Sequence, residues 1–464
     1  CQHIDQAWVE EAGDPDKYVP KWMREGAPTG ITAEPEDAGI FPRVHERVPE
    51  EVRRTLMYHN EQFVNYKSLE DSPHSDELLD DLVKSGYLDV YTDIEQAHQA
   101  IGSQELITSK LALITTTKDG VLKHRLILDC RISGTNDQAV KYERIVLPGA
   151  WDIIHDALVM KSKAKPGDSF TLFVCDFKDA FFKLPLLKAE RKYYATRFRG
   201  KIWVCSRLVQ GSVNGPSCFG RLAALTGRMS QSLMDTTELR MQIYVDDPCM
   251  IIRGTRTRCA KLACIMVLFW LVLGWELSYH KAQLSNTVDW IGYTLHIGEN
   301  EVSARIKESF MQDFRELTVE LMRRPRITLD TLRSYAGKAN HIATLVYNWR
   351  PFLDQLWAAL KNRKETSNAP AHMIWIRQII SSLEWLLAFL EGSKGELIRS
   401  WRVDLFSNRG DELVMILDAS PFGFGGILSK NGKVLSWFAT PISDDDVAIH
   451  KHPRGDNKGQ QTWE

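Results

Sequence analysis

The chain has 464 residues, 44% of them hydrophobic and 25% charged, with a formal net charge of -2, which excludes a disordered or low-complexity protein and leaves room for two to four domains with real cores. That charge is uneven: residues 1–100 carry 9 Lys+Arg against 22 Asp+Glu, which leaves 49 against 38 for the rest. An acidic front and a mildly basic body agree with a nucleic-acid-binding body and argue against a uniformly acidic or strongly basic protein.

The chain starts at Cys1 rather than Met, as expected of a piece of a longer polyprotein. Residues 1–100 read as an acidic N-terminal extension in which no chemistry is legible. Turn-rich patches stand at Gly26-Ala27-Pro28-Thr29-Gly30 and Glu34-Pro35-Glu36, and short helices are predicted at 45–66 and 76–85. From about residue 105 the texture becomes short strands. The runs Leu106 to Thr117 and Leu122 to Leu128 flank Lys118-Asp119-Gly120, a hairpin signal. Helical and strand patterns then alternate to about 298, as in an α+β domain. The apolar run Leu262 to Gly274 is too short to span a bilayer and predicts a buried helix. Segments 305–322, 328–347, 351–362 and 371–391 read as helices, with Thr328 and Asp330 at the start of the second. The tail returns to strands at 413–417, 425–429 and 434–438, and Asn431-Gly432 turns the last pair. None of the eight cysteines forms a C-x-x-C pair, so reduced, buried thiols are expected rather than a zinc knuckle. With no signal peptide, the expected setting is intracellular, cytoplasm or nucleus, without membrane contact.

The chemistry concentrates in carboxylates. Tyr244-Val245-Asp246-Asp247 follows the apolar strand end Met241-Gln242-Ile243, and Thr171 to Cys175 forms another strand-like run that ends in Asp176. Adjacent carboxylates repel and raise each other's pKa unless a cation neutralises them. Two strands that deliver carboxylates to one point make a site for hard divalent cations, of which Mg²⁺ is usually shared with substrate phosphates. A pair of such ions serves in-line nucleotidyl transfer. An isolated Asp-Asp is more often a solvated hairpin turn; here the neighbouring blocks reverse that preference.

Those blocks are Lys118-Asp119-Gly120, His124-Arg125-Leu126-Ile127-Leu128-Asp129-Cys130-Arg131 with Asn136, and Asp176-Phe177-Lys178-Asp179-Ala180-Phe181-Phe182. Then follow Gln210-Gly211-Ser212-Val213-Asn214-Gly215-Pro216, the Asp246-Asp247 motif, Gly274 with Lys281, and Trp290-Ile291-Gly292-Tyr293. In this order, over about 110–298, the set resembles the reverse transcriptases of retroelements. Leu332-Arg333-Ser334-Tyr335-Ala336-Gly337-Lys338, with Arg350-Pro351-Phe352, resembles the helical region after the polymerase of DIRS-like retrotransposons, less specifically.

The resemblance implies two Mg²⁺ ions, with Mn²⁺ an alternative, held by Asp176, Asp246, Asp247 and the backbone carbonyl of Phe177. It places Lys118 and Arg125 against the triphosphate, Phe181 under the incoming sugar, and Gln210 and Gly211 beside nucleotide and template. Lys281 would protonate the pyrophosphate as general acid. Trp290, Gly292 and Tyr293 would grip the primer end. Each has an ordinary alternative: a solvated hairpin edge for Lys118 and Arg125, a turn for Gln210-Gly211, a helix-end charge for Lys281, core for the aromatics. Pro248 departs from the pattern, because proline removes a ladder donor and is confined to strand starts, edges or bulges; it is expected as the first residue of the return strand.

In the tail, Leu417-Asp418-Ala419-Ser420 and Gly423-Phe424-Gly425-Gly426 resemble the first strands of a ribonuclease H domain, with Asp418 and Glu464 as two of its acids. The expected architecture is an α+β right hand: an extension at 1–100, fingers and palm at 101–300, a helical thumb and connection at 301–405, and a truncated ribonuclease H-like lobe at 411–464. The expected function is RNA-directed DNA polymerisation by a retrotransposon enzyme on an RNA or DNA template with primer and dNTPs. A decayed fragment that only binds nucleic acid is the alternative from another class. A group II intron or telomerase-like polymerase is a weaker one.

Overall fold

The computed structural model describes residues 2–59, 64–118, 121–165, 167–361, 369–393 and 397–456. Its centre is a four-stranded antiparallel sheet in the order Leu239–Tyr244, Asp247–Arg253, Phe170–Val174, Gln283–Ser285. Side chains alternate across it with period two. Phe173, Met250 and Ile252 face one core with Leu222, Met229, Leu262 and Trp270 from helices Gly215–Ser232 and Arg256–Val272. Leu172, Val174, Cys249 and Ile251 face a second core with Ile153, Ile154 and Leu158 from helix Ala150–Ser162. A sheet covered on both faces needs apolar residues at successive positions, which is why Met250-Ile251-Ile252 is continuous.

Helix Arg256–Val272 corrects the expectation of a buried helix. Cys259, Leu262, Ala263, Met266 and Trp270 are buried at helical spacing, while Leu268 is 61% and Val272 60% exposed. The run is apolar all round, but only one stripe has a sheet to cover it. The cysteines follow the same rule: among the described residues all are free thiols and all are buried except Cys264, on the open side of that helix.

A long hairpin pairs Lys110–Lys118 with Val121–Asp129 in a register that ends at Lys118↔Val121. The turn residues Asp119 and Gly120 lie outside the described residues, as does the side chain of Lys118. A second sheet runs in the order Thr287–Trp290, Tyr293–Ile297, Glu301–Ile306, Ile398–Arg402. Helices Glu308–Met322, Leu329–Leu345, Pro351–Lys361 and Ile380–Leu390 share its core. Thr328 caps the second of these, accepting from the Thr331 N–H at 3.1 Å.

Two predicted helices are corrected. Among the described residues of 45–66, which leave out 60–63, the strand Arg43–Glu46, paired with Lys141–Glu143, reaches into the stretch and a 3-10 turn forms at Glu50–Val52; Pro49 lacks the N–H a helix interior needs. The stretch 371–391 begins as strand Met373–Trp375, which buries Ile374 against Arg326–Thr328, passes through a 3-10 turn at Ile376–Gln378, and becomes α-helical at Ile380. β-Branched and aromatic side chains suit that pairing.

The acidic front is joined to the body by ion pairs. Arg221, fully buried, meets Asp16 at 2.6 Å and Glu143 at 3.3 Å and lies 4.2 Å over the Trp22 ring. Arg228 pairs with Asp14 at 2.7 Å. The buried Glu190 carboxylate accepts backbone N–H groups from Thr29, Ile31, Thr32 and Ala33. Part of the charge asymmetry is therefore neutralised inside the fold.

At the C-terminal end, Leu413–Ser420, Gly423–Lys430 and Lys433–Pro441 form an antiparallel meander. Asn431 (φ 49°) and Gly432 (φ 76°) take the positive dihedrals its second turn requires.

Candidate active site

Register builds the site. Tyr244 pairs with Asp247, so Val245 and Asp246 form a two-residue turn at the end of the central hairpin. Val245 takes φ 57°, a conformation costly for a β-branched residue, of order 1–3 kcal/mol, and one that persists only where the surroundings enforce it. The enforcing bonds come from the strand that carries Asp176: Phe177 N–H donates to the Asp246 carbonyl at 2.9 Å, and Cys175 N–H to that of Pro248 at 3.3 Å. Pro248 has no N–H to return, so the ladder between the two strands starts only at Cys249↔Val174. The proline is second in its strand rather than first, at the end where pairing stops, and the fold accommodates it.

Asp176, Asp246 and Asp247 are thereby brought within electrostatic reach of one another. Burial pushes the Asp247 pKa up, and the charges of Asp246 and Asp176 add to that, to about 7. Burial also raises Asp246, aided by Asp176 and opposed by Lys281 and Arg125. For Asp176 burial works upward too, but hydrogen bonds from Lys281 and Ser278 outweigh it and hold the carboxyl below its usual range. Lys281 Nζ lies 2.6 Å from Asp176 Oδ2. A shared hydrogen bond links Asp176 and Asp247. The donor set, three carboxylates in excess of cationic partners, fits a hard divalent cation, which would relieve the repulsion that now raises Asp246 and Asp247. Among the described residues no three such side chains are already closed around one point, and Lys281 occupies Asp176 instead.

The other sequence candidates surround this point at different removes. Arg125 is exposed on the Lys110–Asp129 hairpin and acts on Asp246 through its charge. The Phe177 ring is buried, stacked 4.4 Å from Trp275, so only its backbone faces the site. Phe181 is partly buried and stacks 4.7 Å from Phe219, while Phe182 stacks on Tyr87 away from it. Trp290 is buried, and its Nε1–H donates to the Asp247 carbonyl at 3.0 Å. Gly292 and Tyr293 form the next turn and strand start. Gln210 and Gly211 are exposed, and Gly211 lies against the strand Val121–Asp129. Gly211 has φ 119°, and a Cβ there would stand 2.4 Å from the Leu128 carbonyl oxygen. Asp418 is exposed at a strand end, and Glu464 lies outside the described residues.

Three residues at the site were not assigned roles from sequence. Ser278 hydrogen-bonds Asp176 and carries no sequence signal. Asn136 stands in the quoted motif, and its side chain braces the Gly211 loop: Nδ2 donates to the Gly211 carbonyl at 2.8 Å and Oδ1 accepts from Val213 N–H at 3.1 Å. Asn214, buried, ties the same loop to Thr29 and Val140 through 2.8 and 2.7 Å bonds to their carbonyls.

Residues 107–295 match the family described as reverse transcriptase (RNA-dependent DNA polymerase). Over 209 residues, 43% of this chain, the sequence is 25% identical to a Gag-Pol polyprotein of Avian reticuloendotheliosis virus, of whose length the chain spans 17%. The foamy viral protease-reverse transcriptase dRH in complex with double-stranded DNA is similar with a TM-score of 0.50 at 18% identity, covering 86% of this chain and 61% of that one. The foamy viral protease-reverse transcriptase in complex with double-stranded DNA gives the same TM-score, 0.50, and identity, 18%, over 97% and 84%. The fold is the mixed α+β fold of viral reverse transcriptases.

Proposed function

We propose, from the reverse transcriptase domain that residues 107–295 carry, that this protein is an RNA-directed DNA polymerase of a retrotransposon. The observation that carries the reading is the convergence of Asp176, Asp246 and Asp247 at adjacent strand ends, with Asp246 and Asp247 destabilised as anions. Asp176, Asp246, Asp247 and the Phe177 carbonyl would hold two Mg²⁺ ions. Such ions supply a more acidic primer 3′-hydroxyl and a stabilised pyrophosphate leaving group. The 3′-oxygen then bonds to the α-phosphorus, the bond to pyrophosphate breaks, and the hydroxyl proton passes to bulk water. Arg125 and Lys118 hold the triphosphate from the fingers. Phe181, seated on Phe219, fills the space under the sugar. Gln210 and Gly211 contact the nucleotide and template. Lys281 holds Asp176 in the free protein and protonates the leaving group in the complex. Trp290, Gly292 and Tyr293 steady the primer end.

In this reading residues 101–300 serve as fingers and palm, 301–405 as thumb and connection, and 411–464 as a ribonuclease H-like lobe. Template, primer and dNTPs are the partners. A catalytically decayed, nucleic-acid-binding fragment is favoured by one observation, the Lys281–Asp176 pair in place of an open carboxylate.

Primer extension on poly(rA)·oligo(dT) with dTTP and Mg²⁺ decides between them. Elongation is expected from the wild-type chain, and Asp246→Asn, which removes a ligand charge with little change of shape, should lose all but a few per cent of it while still binding template. A wild-type chain that binds the duplex and never extends it, with Mg²⁺ or Mn²⁺, establishes the decayed fragment.

A further inference from the structure

Beyond the aspartate turn, a line of contacts runs from the long helix Leu329–Leu345 to the candidate site. The strands Thr287–Trp290 and Tyr293–Ile297 are joined by Ile291 and Gly292, both at positive φ, 44° and 87°. That turn presses on His341. A Cβ at Gly292 would stand 2.8 Å from His341 Nε2, so only glycine permits the approach. The imidazole lies 4.6 Å from the Tyr293 ring and 5.2 Å from that of Phe310. The Tyr293 hydroxyl is 3.2 Å from His341 Nδ1, donates to the His341 carbonyl at 3.1 Å, and also bonds Thr344. The Gly292 carbonyl is held independently by the Lys307 N–H at 3.0 Å. One residue before the turn, Trp290 bonds the Asp247 carbonyl.

We propose that His341 is a positioning residue that locks the Ile291–Gly292 turn to helix Leu329–Leu345 and, through Trp290, fixes the Asp247 backbone relative to that helix. The proposal rests on the polymerase reading. In that reading the helix belongs to the thumb and Asp247 to the metal site, so the two must keep one geometry while the primer end is held. The imidazole suits this place because it is flat, fits between two rings and bonds through its ring nitrogen. A residue that only packed could not restore the polar bond; one that acts by position should be replaceable by a group of the same reach and polarity.

The test is single-nucleotide incorporation on a defined RNA template and DNA primer, comparing wild type, His341→Ala, His341→Gln and Tyr335→Phe. Displacement of reacting groups by about an ångström costs on the order of a hundredfold in rate. His341→Ala is expected to lower kcat about 10- to 100-fold, with the dNTP KM changed less than about threefold. His341→Gln, which keeps a donor and acceptor of similar reach, should recover most of the rate. Tyr335→Phe removes a buried hydroxyl bonded to Thr318 at 2.9 Å from the same helix, without touching the turn. It should lower the melting temperature and leave kcat intact. An active wild type with an unaltered kcat in His341→Ala overturns the lock alone. So does a rate loss that tracks melting temperature equally in His341→Ala and Tyr335→Phe. A wild type that extends no primer removes the polymerase reading and this inference with it.

Discussion

Asp247 is held among two like charges in a partly buried turn, and this makes it a measurable liability in the metal-free protein. Its folded pKa of about 7 stands above the ordinary value of 3.8. The folded state therefore binds its proton more tightly than the unfolded state. The stabilisation is complete below about pH 4 and is lost as pH rises toward and through 7. Asp247→Asn, measured in chelator, should melt higher than wild type at pH 8, by about 1 °C for each kcal/mol relieved. The difference should vanish near pH 4; equal melting curves at pH 8 would mean that the three carboxylates do not repel as described. Phe181 gives a second residue-scale prediction. In the polymerase reading its ring lies under the incoming sugar, and its stacking on Phe219 would keep it from retreating before a 2′-hydroxyl. Overpacking of that kind costs about 1–3 kcal/mol, roughly ten- to two-hundred-fold in selectivity. Phe181→Ala should raise the ratio of ribonucleotide to deoxynucleotide incorporation within that range; an unchanged ratio in an active variant would place Phe181 in the core alone.

The segment from Asp14 to Glu36 acts at the scale of elements. Its carboxylates and backbone hold helix Gly215–Ser232 and the loop that precedes it, through Asp16–Arg221, Asp14–Arg228 and the Thr29–Asn214 bond. Arg221 and Asp16 are both fully buried. Removing Asp16 leaves Arg221 with Glu143 at 3.3 Å as its remaining carboxylate, so the loss should lie toward the lower end of the about 3–5 kcal/mol that breaking a buried pair costs. Asp16→Ala should lower the denaturant midpoint accordingly, whereas Lys21→Ala, which breaks an exposed pair with Glu36, should cost no more than about 1 kcal/mol. Equal losses in the two variants would show that the segment is not locked where it lies.

For the whole molecule, charge distribution and exposed apolar surface are the relevant quantities. Cations of the body left after internal pairing should displace counterions from a primer–template. Several phosphate contacts give a log–log slope of affinity on salt steeper than about -3. Filter binding across low to physiological salt measures it, and a flat dependence would assign the basic body to protein partners. The C-terminal meander exposes apolar side chains on both faces, with Met415 66% and Trp437 71% exposed. Natural sheets cover such faces. Among the described residues no helix is long and apolar enough to cross a membrane.

The chain's own order of motifs made the Val245-Asp246 turn, the Lys110–Asp129 hairpin, the Trp290–Tyr293 hairpin and the match of residues 107–295 to the reverse transcriptase family legible, because each depends on local chemistry: two-residue turns, strand alternation, adjacent carboxylates. Thr328 as a cap and Asn431-Gly432 as a turn were legible for the same reason. Tertiary structure alone decided which face of Arg256–Val272 is buried, since that depends on where a sheet stands. It turned Arg43–Glu46 and Met373–Trp375 into strands, since cross-strand partners lie far along the chain. It joined the acidic front to the body through Arg221 and Glu190. It also brought Ser278 to Asp176 and His341 to Gly292, pairings across long chain separations for which a single sequence carries no periodicity and no motif.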